Sequence, residues 1–249
     1  MERYEISDDN WKKIKDLLPG QRGRHGGIAR DNRLFINAIL YIAKTGIPWR
    51  DLPTRFGKWD SVFHRYNEWC KKNRWQAIFD ALQDPDLEWL MIDSTVIRAH
   101  QHAAGMNTEG EDQDLGRSKG GFGTKIHGAF DALGNPVAFH LSPGKDADVT
   151  HAEAVIGDRT PEALIGDKGY DSDPLANKLK DRGINVVIPP KKNRKHPREY
   201  DKVIYKERNK AERGFNLLKQ YRRVATRYEK TSRNFLGMIL IAATMILLR

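Results

Sequence analysis

Two short apolar runs, each leading to an aspartate, most constrain the fold of this chain. Trp-Leu-Met-Ile at 89–92 leads to Asp93, and Ala-Leu-Ile-Gly at 163–166 leads to Asp167. Apolar runs of this length are typical of buried strands, and segments with helical spacing of their apolar residues lie between and after them. This alternation predicts an α/β domain in which helices flank a mixed sheet of about five strands.

The N-terminal part of the chain instead carries its apolar residues at helical spacing. Ser7 and Asp31 are suited to cap two helices, and a third amphipathic helix is predicted to start near Asp60. We therefore expect a small all-α domain at 1–84, followed by the α/β domain at 85–249. A helix-turn-helix-like module that enters a DNA groove is one interpretation of the first domain, and a helical bundle without that function is the alternative.

The charge of the chain is unevenly distributed. The net charge is +10, but residues 1–79 have a net charge of +7, residues 80–115 of −8, residues 116–190 of −1 and residues 191–233 of +11. Basic blocks bind phosphate backbones by releasing counterions, whereas an acidic run suits metal binding or solvation. We therefore expect a nucleic-acid partner, and the charge of the helical N-terminal block favours DNA contact. In the first basic block, the expected DNA contacts are three cations on the third helix: Arg65, Lys71 and Lys72.

The second basic block begins with a dense run of cations at 191–198. This run leads into a charged helix predicted at about 200–224. It could be a solvated loop, but its charge and its position favour a clamp on the DNA backbone. The residues assigned to this clamp are Lys191, Lys192, Arg194 and Lys195.

One glutamate on the predicted helix stands among cations. Tyr205, Arg208, Glu212 and Lys219 are spaced by three, four and seven residues, which brings them onto one stripe of a helix roughly 60° wide. A carboxylate flanked by two cations stays ionised and could hold a hard cation beside an anionic substrate. The alternative is a solvated helix with ordinary charge pairs.

Asp93, Asp167 and Glu212 together form a candidate metal site. Sites in open α/β sheets are built at the carboxyl ends of strands, where the two aspartates are predicted to lie, although a single aspartate there is usually a turn former. A cluster of three carboxylates could bind two divalent ions that activate the attacking oxygen and stabilise the leaving oxygen of a phosphodiester. Hard oxygen ligands favour Mg²⁺ or Mn²⁺ over zinc.

Two other motifs are weaker candidates. His100 and His102 form a His-x-His pair that is more often exposed in a polar loop than bound to metal. The glycine-rich segment 120–125 lacks the Gly-Lys-Ser/Thr ending of a nucleotide-binding loop and precedes a predicted strand, which excludes that function. Its glycines could still allow close approach to a sugar-phosphate backbone.

The remaining features indicate a cytoplasmic protein, associated with the nucleoid through its DNA partner. Cys70 is the single cysteine, so no intrachain disulfide is expected. The N-terminus has no basic-then-apolar leader. The apolar run 235–248 is shorter than the ~20 residues that cross a bilayer, so we expect a buried terminal helix and no membrane contact.

These motifs resemble those of a known family. MIDST around Asp93, IGDKGYDS around Asp167 and YKERNKAERGFNLLK at 205–219 are similar to the catalytic motifs of insertion-sequence DDE transposases, the IS-five-like group. All four positions of that family's Tyr-Arg-Glu-Lys signature match in type and spacing. GRSKGGFGTKIH, TGIPWRDLP and FGKW also resemble the family, so the similarity covers nearly the whole chain.

The resemblance implies a ribonuclease H-like catalytic domain whose partner is double-stranded DNA. The domain would cleave this DNA at terminal inverted repeats and join the freed 3′-hydroxyl to target DNA. It implies that Asp93, Asp167 and Glu212 bind Mg²⁺ or Mn²⁺, with two ions expected. Arg208 and Lys219 would contact DNA phosphates, with Tyr205 near the scissile site. Pairing two element ends implies at least a homodimer. A catalytically inactive DNA-binding regulator and a metal-dependent nuclease that does not join strands are the alternatives.

Overall fold

The structure, a computed structural model, describes residues 4–21, 23, 27–103, 113–118 and 120–249. The α-helices within these residues are α1 (Asp8–Ile14), α2 (Asn32–Thr45), α3 (Trp59–Lys71), α4 (Arg74–Asp80), α5 (Ala152–Ile156), α6 (Asp173–Asp181), α7 (Lys202–Tyr205), α8 (Asn209–Lys219), α9 (Arg222–Ala225) and α10 (Ser232–Leu247). The strands are β1 (Trp89–Arg98), β2 (Gly116–Ser118), β3 (Gly121–Phe130), β4 (Pro136–Pro143), β5 (Ala163–Ile165) and β6 (Asn185–Val187). The chain divides into two compact units, residues 1–83 with 218–249, and residues 84–217.

The first unit is helical, as predicted. The Ser7 hydroxyl caps α1 by accepting a hydrogen bond from the Asn10 amide at 3.2 Å. The Asp31 carboxylate caps α2 in the same way, accepting from the Leu34 amide at 2.8 Å. Both predicted caps are confirmed, since each satisfies an amide that the first helical turn leaves without a partner.

Helix α10 belongs to the helical unit. It packs against α2, α3 and α4, and eleven of its residues are buried. A helix that is apolar around most of its circumference must be covered on several sides, which explains this central position. Residues 218–249 therefore group with the N-terminal helices, whereas the sequence assigned them to the second domain. The functional division at 84 and 85 stays a prediction.

No helix among the described residues combines the length and apolar character needed to cross a bilayer.

The second unit is built on a mixed six-stranded sheet. Its strand order is β2-β3-β1-β5-β6, and β4 pairs with β3. The pairs β1–β3, β2–β3 and β3–β4 are antiparallel, and β1–β5 and β5–β6 are parallel. The predicted mixed α/β sheet is confirmed, with β2 as a strand beyond the expected five.

Strand β1 is longer than predicted and does not end at Asp93. It pairs in parallel with β5 only as far as Met91–Ile165, but its antiparallel pairing with β3 continues to Arg98 opposite Gly123. The neighbouring strand thus extends β1 beyond its short apolar run. Asp93 lies two residues past the last β1–β5 pair, where the two parallel strands separate.

The two faces of the sheet are covered by different helices. Leu90 and Ile92 point into a core completed by residues of α5 and α6. Successive side chains of a strand point to opposite faces, so Asp93 lies on the other side. There Phe215 of α8 packs against Gly128, the residue that pairs with Asp93. Helix α8, which carries Glu212, therefore packs on the face that Asp93 occupies.

Candidate active site

Asp93 and Glu212 meet through Arg208. The Asp93 side chain is 17% exposed, and its Oδ2 accepts a hydrogen bond from Arg208 Nη1 at 3.3 Å. Arg208 Nη2 donates to Glu212 Oε1 one helical turn further along the chain. One guanidinium therefore bridges two of the three predicted carboxylates, which come from a central strand and a helix far apart in sequence.

The charge of Asp93 is disfavoured by its surroundings. Burial raises the pKa of Asp93, the Ser94 amide and Arg208 act to lower it, and the negative charges of Asp167 and Glu212 raise it further. The three carboxylates therefore share one electrostatic neighbourhood. A cation at this position would relieve their mutual repulsion.

Asp167 begins the loop that follows β5. Its Oδ1 accepts a hydrogen bond from the Gly169 amide at 2.7 Å and caps a 3-10 turn over Lys168–Tyr170. This is the turn-forming role that the sequence allowed, and it fixes the carboxylate near the site. A side chain at Gly169 would lie within 2.8 Å of Asp167 Oδ1, so the absence of one permits this close turn.

The Tyr205–Lys219 segment is not one continuous α-helix, which corrects the prediction of a single helix at 200–224. Helix α7 ends at Tyr205, a 3-10 turn covers Lys206–Arg208, and α8 starts at Asn209. Three-residue spacing aligns side chains in a 3-10 turn, so Tyr205 remains beside Arg208. The Tyr205 ring also meets the Tyr200 ring edge to face at 5.4 Å. Lys219 is the exposed last residue of α8.

The donor chemistry of Asp93, Asp167 and Glu212 suits a hard divalent cation. Within the described ranges, however, no three His, Cys, Asp or Glu side chains are close enough together to hold a metal ion. Arg208 instead lies between Asp93 and Glu212, and its guanidinium supplies positive charge between these two carboxylates.

The predicted basic clamp divides into anchoring and exposed residues. Arg194 forms ion pairs with Asp171 at 3.0 Å and Asp173 at 2.7 Å, and its side chain is only 17% exposed. These acidic partners hold the pKa of Arg194 above its usual value. The lysines of the clamp, Lys191, Lys192 and Lys195, are exposed. Arg194 thus ties the loop to the sheet unit, and the lysines are the residues that face solvent.

The basic residues of α3 also differ from one another. Arg65 stacks on Phe35 at 4.1 Å and on Trp69 at 5.0 Å, and donates a hydrogen bond to Asn32. Burial lowers the pKa of Arg65. Lys71 and Lys72 are exposed and share Glu68 as ion-pair partner, at 3.0 and 3.8 Å. Exposed pairs of this kind contribute little to stability, so both lysines remain accessible to another anion.

Several residues at the site were missed by sequence reasoning. On the sheet face opposite Asp93, Asp148 Oδ1 accepts hydrogen bonds from Ser94 Oγ at 2.7 Å and Lys125 Nζ at 2.8 Å. Tyr170 is buried beside them, and burial together with Asp148, Asp93 and Asp167 raises the pKa of Tyr170. Ser94 and Tyr170 lie inside the quoted motifs MIDST and IGDKGYDS, which was the available signal. Lys119 of the motif at 116–127 lies outside the described residues.

Comparison with known proteins agrees with these observations. The family described as "Transposase DDE domain" matches residues 84–248, and the one described as "Putative transposase of IS4/5 family" matches residues 6–79. The chain is 37% identical over 131 residues to "Putative transposase for insertion sequence element IS6501" of Brucella ovis, covering 51% of this chain and 98% of that protein. It is 45% identical over 101 residues to "Uncharacterized protein y4sN" of Sinorhizobium fredii, covering 40% of this chain and 81% of that protein.

A solved structure shows the same fold. The piggyBac transposase in its synaptic complex with hairpin DNA superposes with a TM-score of 0.52 at 13% identity, over 98% of this chain and 73% of that one. The predicted ribonuclease H-like α/β fold is confirmed. Transposases with this catalytic domain use divalent metal ions. Since a single family covers more than half of the sequence, the chain belongs to the DDE transposases of insertion sequences.

Proposed function

We propose that this transposase binds the terminal inverted repeats of an insertion sequence and uses Asp93, Asp167 and Glu212 to cleave and join DNA strands. The observation that carries the proposal is the bridge from Asp93 through Arg208 to Glu212, with Asp167 in the same neighbourhood. It brings together the residues whose types and spacing match the family signature. The same carboxylates would hold Mg²⁺ or Mn²⁺, with two ions expected.

The chemistry is divided between the cations and the protein. Bound divalent ions would activate the attacking oxygen and stabilise the leaving oxygen of the phosphodiester. Asp93 and Glu212 supply negative charge on two rigid elements, and Asp167 is oriented by the turn that it caps. The planar guanidinium of Arg208 would be suited to hold a DNA phosphate if cations replaced it between Asp93 and Glu212. Lys219 is assigned to DNA phosphates, and Tyr205 to the DNA near the cleaved bond.

The two regions of the chain are assigned different functions. Residues 1–84 would recognise the element ends, and residues 85–249 would carry catalysis. Pairing two ends requires at least a homodimer in the active complex. Because the proposed substrate is DNA, we propose that the protein acts in the cytoplasm, at the nucleoid.

One assay distinguishes this proposal from its alternatives. Purified protein is incubated with a labelled inverted-repeat duplex and target DNA, in Mg²⁺ or Mn²⁺ and in EDTA. Metal-dependent cleavage followed by strand joining supports the proposal. Binding without cleavage would instead indicate a regulator, and cleavage without joining a hydrolytic nuclease.

The exposed lysines of the clamp give a prediction for DNA affinity. We expect Lys191→Glu with Lys192→Glu to weaken binding to the duplex and to reduce the slope of log Kd against log salt by about 2, because each phosphate contact contributes about 1. The control is Lys178→Glu with Lys180→Glu on α6, which changes net charge equally. An equal effect of both pairs would show that only overall charge matters.

The basic residues of α3 should separate into two classes. Lys71→Ala with Lys72→Ala should weaken binding to inverted-repeat DNA without changing the melting temperature. Arg65→Ala should lower the free energy of unfolding by about 1 to 2 kcal/mol, because it removes contacts with two aromatic rings. Gel shifts and thermal melts measure the two effects. Unchanged DNA affinity of the lysine variant would exclude α3 as the reading helix.

A further inference from the structure

Asp148 connects three segments that surround the proposed metal site. It is the first residue of a 3-10 turn that precedes α5. Its Oδ1 accepts hydrogen bonds from Ser94 on β1 at 2.7 Å and from Lys125 on β3 at 2.8 Å. Its Oδ2 lies 3.3 Å from the position of a Cβ atom on Gly169, in the loop after β5. One carboxylate thus bonds to the strand of Asp93 and lies beside the turn of Asp167.

This connection lies where the backbone no longer fixes the distance between the two aspartates. The hydrogen-bonded pairing of β1 with β5 stops at Met91 and Ile165. Asp93 and Asp167 are each two residues beyond that last pair, so the ladder does not set their separation. The position of one carboxylate relative to the other therefore depends on contacts beyond this ladder, side-chain contacts among them.

The two residues beside the Asp148 carboxylate, Ser94 and Gly169, each donate a backbone hydrogen bond to one of the two aspartates. Ser94 is adjacent to Asp93, and the Ser94 amide donates to Asp93 Oδ1 at 2.9 Å. The Gly169 amide donates to Asp167 Oδ1 at 2.7 Å. A shift of Ser94 or of the Gly169 turn would consequently move one carboxylate relative to the other.

Lys125 keeps Asp148 in its charged form. Burial acts to raise the pKa of Asp148, but hydrogen bonds from Lys125 and Ser94 hold it below its usual value. Lys125 Nζ also donates to the Asp146 carbonyl at 2.6 Å, which fixes the ammonium group. His127 lies 4.0 Å from Asp148, but burial lowers the pKa of His127 to about 3, so it stays neutral. Ionised Asp148 is the stronger hydrogen-bond acceptor for the Ser94 hydroxyl.

We propose that Asp148 is a positioning residue, which holds Ser94 and packs against the Gly169 turn and so fixes the position of Asp93 relative to Asp167. This inference rests on the proposed metal-binding role of the two aspartates. Asp148 touches no substrate in this role and acts through its neighbours. Partners that orient metal ligands commonly affect metal affinity strongly.

The test measures Mn²⁺ binding without catalysis. Free Mn²⁺ is followed by electron paramagnetic resonance as the metal is titrated into each DNA-free variant, and melting temperatures are recorded in parallel. We expect Ser94→Ala to weaken Mn²⁺ binding about tenfold, because it removes the hydroxyl that Asp148 holds. Ser94→Thr, which keeps a hydroxyl, should restore binding. Ser142→Ala is the matched control, since its buried hydroxyl contacts His127 at 2.9 Å on the same sheet face, away from Asp93.

Asp148→Asn and Asp93→Asn complete the experiment. Asp148→Asn should weaken binding to a similar extent as Ser94→Ala, and Asp93→Asn should weaken it more. If Asp93→Asn weakens Mn²⁺ binding and Ser94→Ala does not, the positioning role is overturned but the metal site stands. An effect of Asp148→Asn would not change that conclusion. If Asp93→Asn also leaves Mn²⁺ affinity unchanged, the proposed metal site fails, and the positioning role fails with it.

Discussion

Asp93→Asn should lower the rate of inverted-repeat cleavage by about a thousandfold or more, because loss of a metal-binding carboxylate removes several kcal/mol of transition-state stabilisation. Binding of the duplex should remain close to wild type, since most of the DNA contacts are assigned to cations that do not contact Asp93. Single-turnover cleavage in Mg²⁺ and gel shifts in EDTA measure the two effects. Glu212→Gln should give the same pattern, and Asp158→Asn, on an exposed aspartate of the same unit, should leave both unchanged.

The free energy of unfolding of Asp93→Asn, measured relative to that of the wild type, should increase as the pH rises. Burial raises the pKa of Asp93 above its usual 3.8. A group whose pKa is higher in the folded state contributes stability that is present at low pH and is lost as the pH rises through the folded value. Asparagine carries no charge, so the variant avoids this loss. Thermal melts at pH 4 and pH 7 test the sign. A lower melting temperature at pH 7 together with lost DNA binding would mean that the carboxylate is structural.

Local patterns in the sequence predicted the elements of the fold well. The caps at Ser7 and Asp31 and the strand Ala163–Ile165 all follow from short-range chemistry, and the structure has them as expected. The length of β1 did not follow from its own residues. Its last five positions are held by pairing with β3, a partner that lies outside any local window.

The sequence predicted which residues form the candidate site, but it did not predict how they are arranged. The spacing of Arg208 and Glu212 indicates neighbours on a helix, and they do form an ion pair. That Arg208 also reaches Asp93 depends on packing of α8 over β3, which no local pattern reveals. Asp148 was missed for the same reason, because an aspartate in a polar segment has many roles until the folded chain brings its turn beside Ser94.

Helix α8 approaches the sheet through Gly214. A Cβ atom at this position would lie 2.6 Å from Cδ1 of Phe130 and closer still to Cε1. Phe130 is fully buried on β3, so its ring has little room to move. The absence of a side chain at Gly214 therefore sets the distance between α8 and the strand that pairs with β1.

Gly214→Ala should reduce cleavage about a hundredfold, because a displacement of about 1 Å at a reacting group has effects of that size. Alanine favours a helix over glycine by about 1 kcal/mol, but the overlap with Phe130 costs about 1 to 3 kcal/mol and forces α8 outward. Glu212 and Arg208 lie two and six residues before Gly214, so both would move away from Asp93. Single-turnover cleavage and thermal melts measure the effect.

Two variants show whether the close approach of α8 is the cause. Asn216→Ala, at an exposed position of the same helix, should keep full activity, because it makes no comparable contact. Phe130→Leu should partly rescue Gly214→Ala by making room for the methyl group, so the two substitutions should be non-additive. Additive losses, or full activity of Gly214→Ala, would show that the separation of α8 from β3 does not control the geometry of Asp93, Arg208 and Glu212.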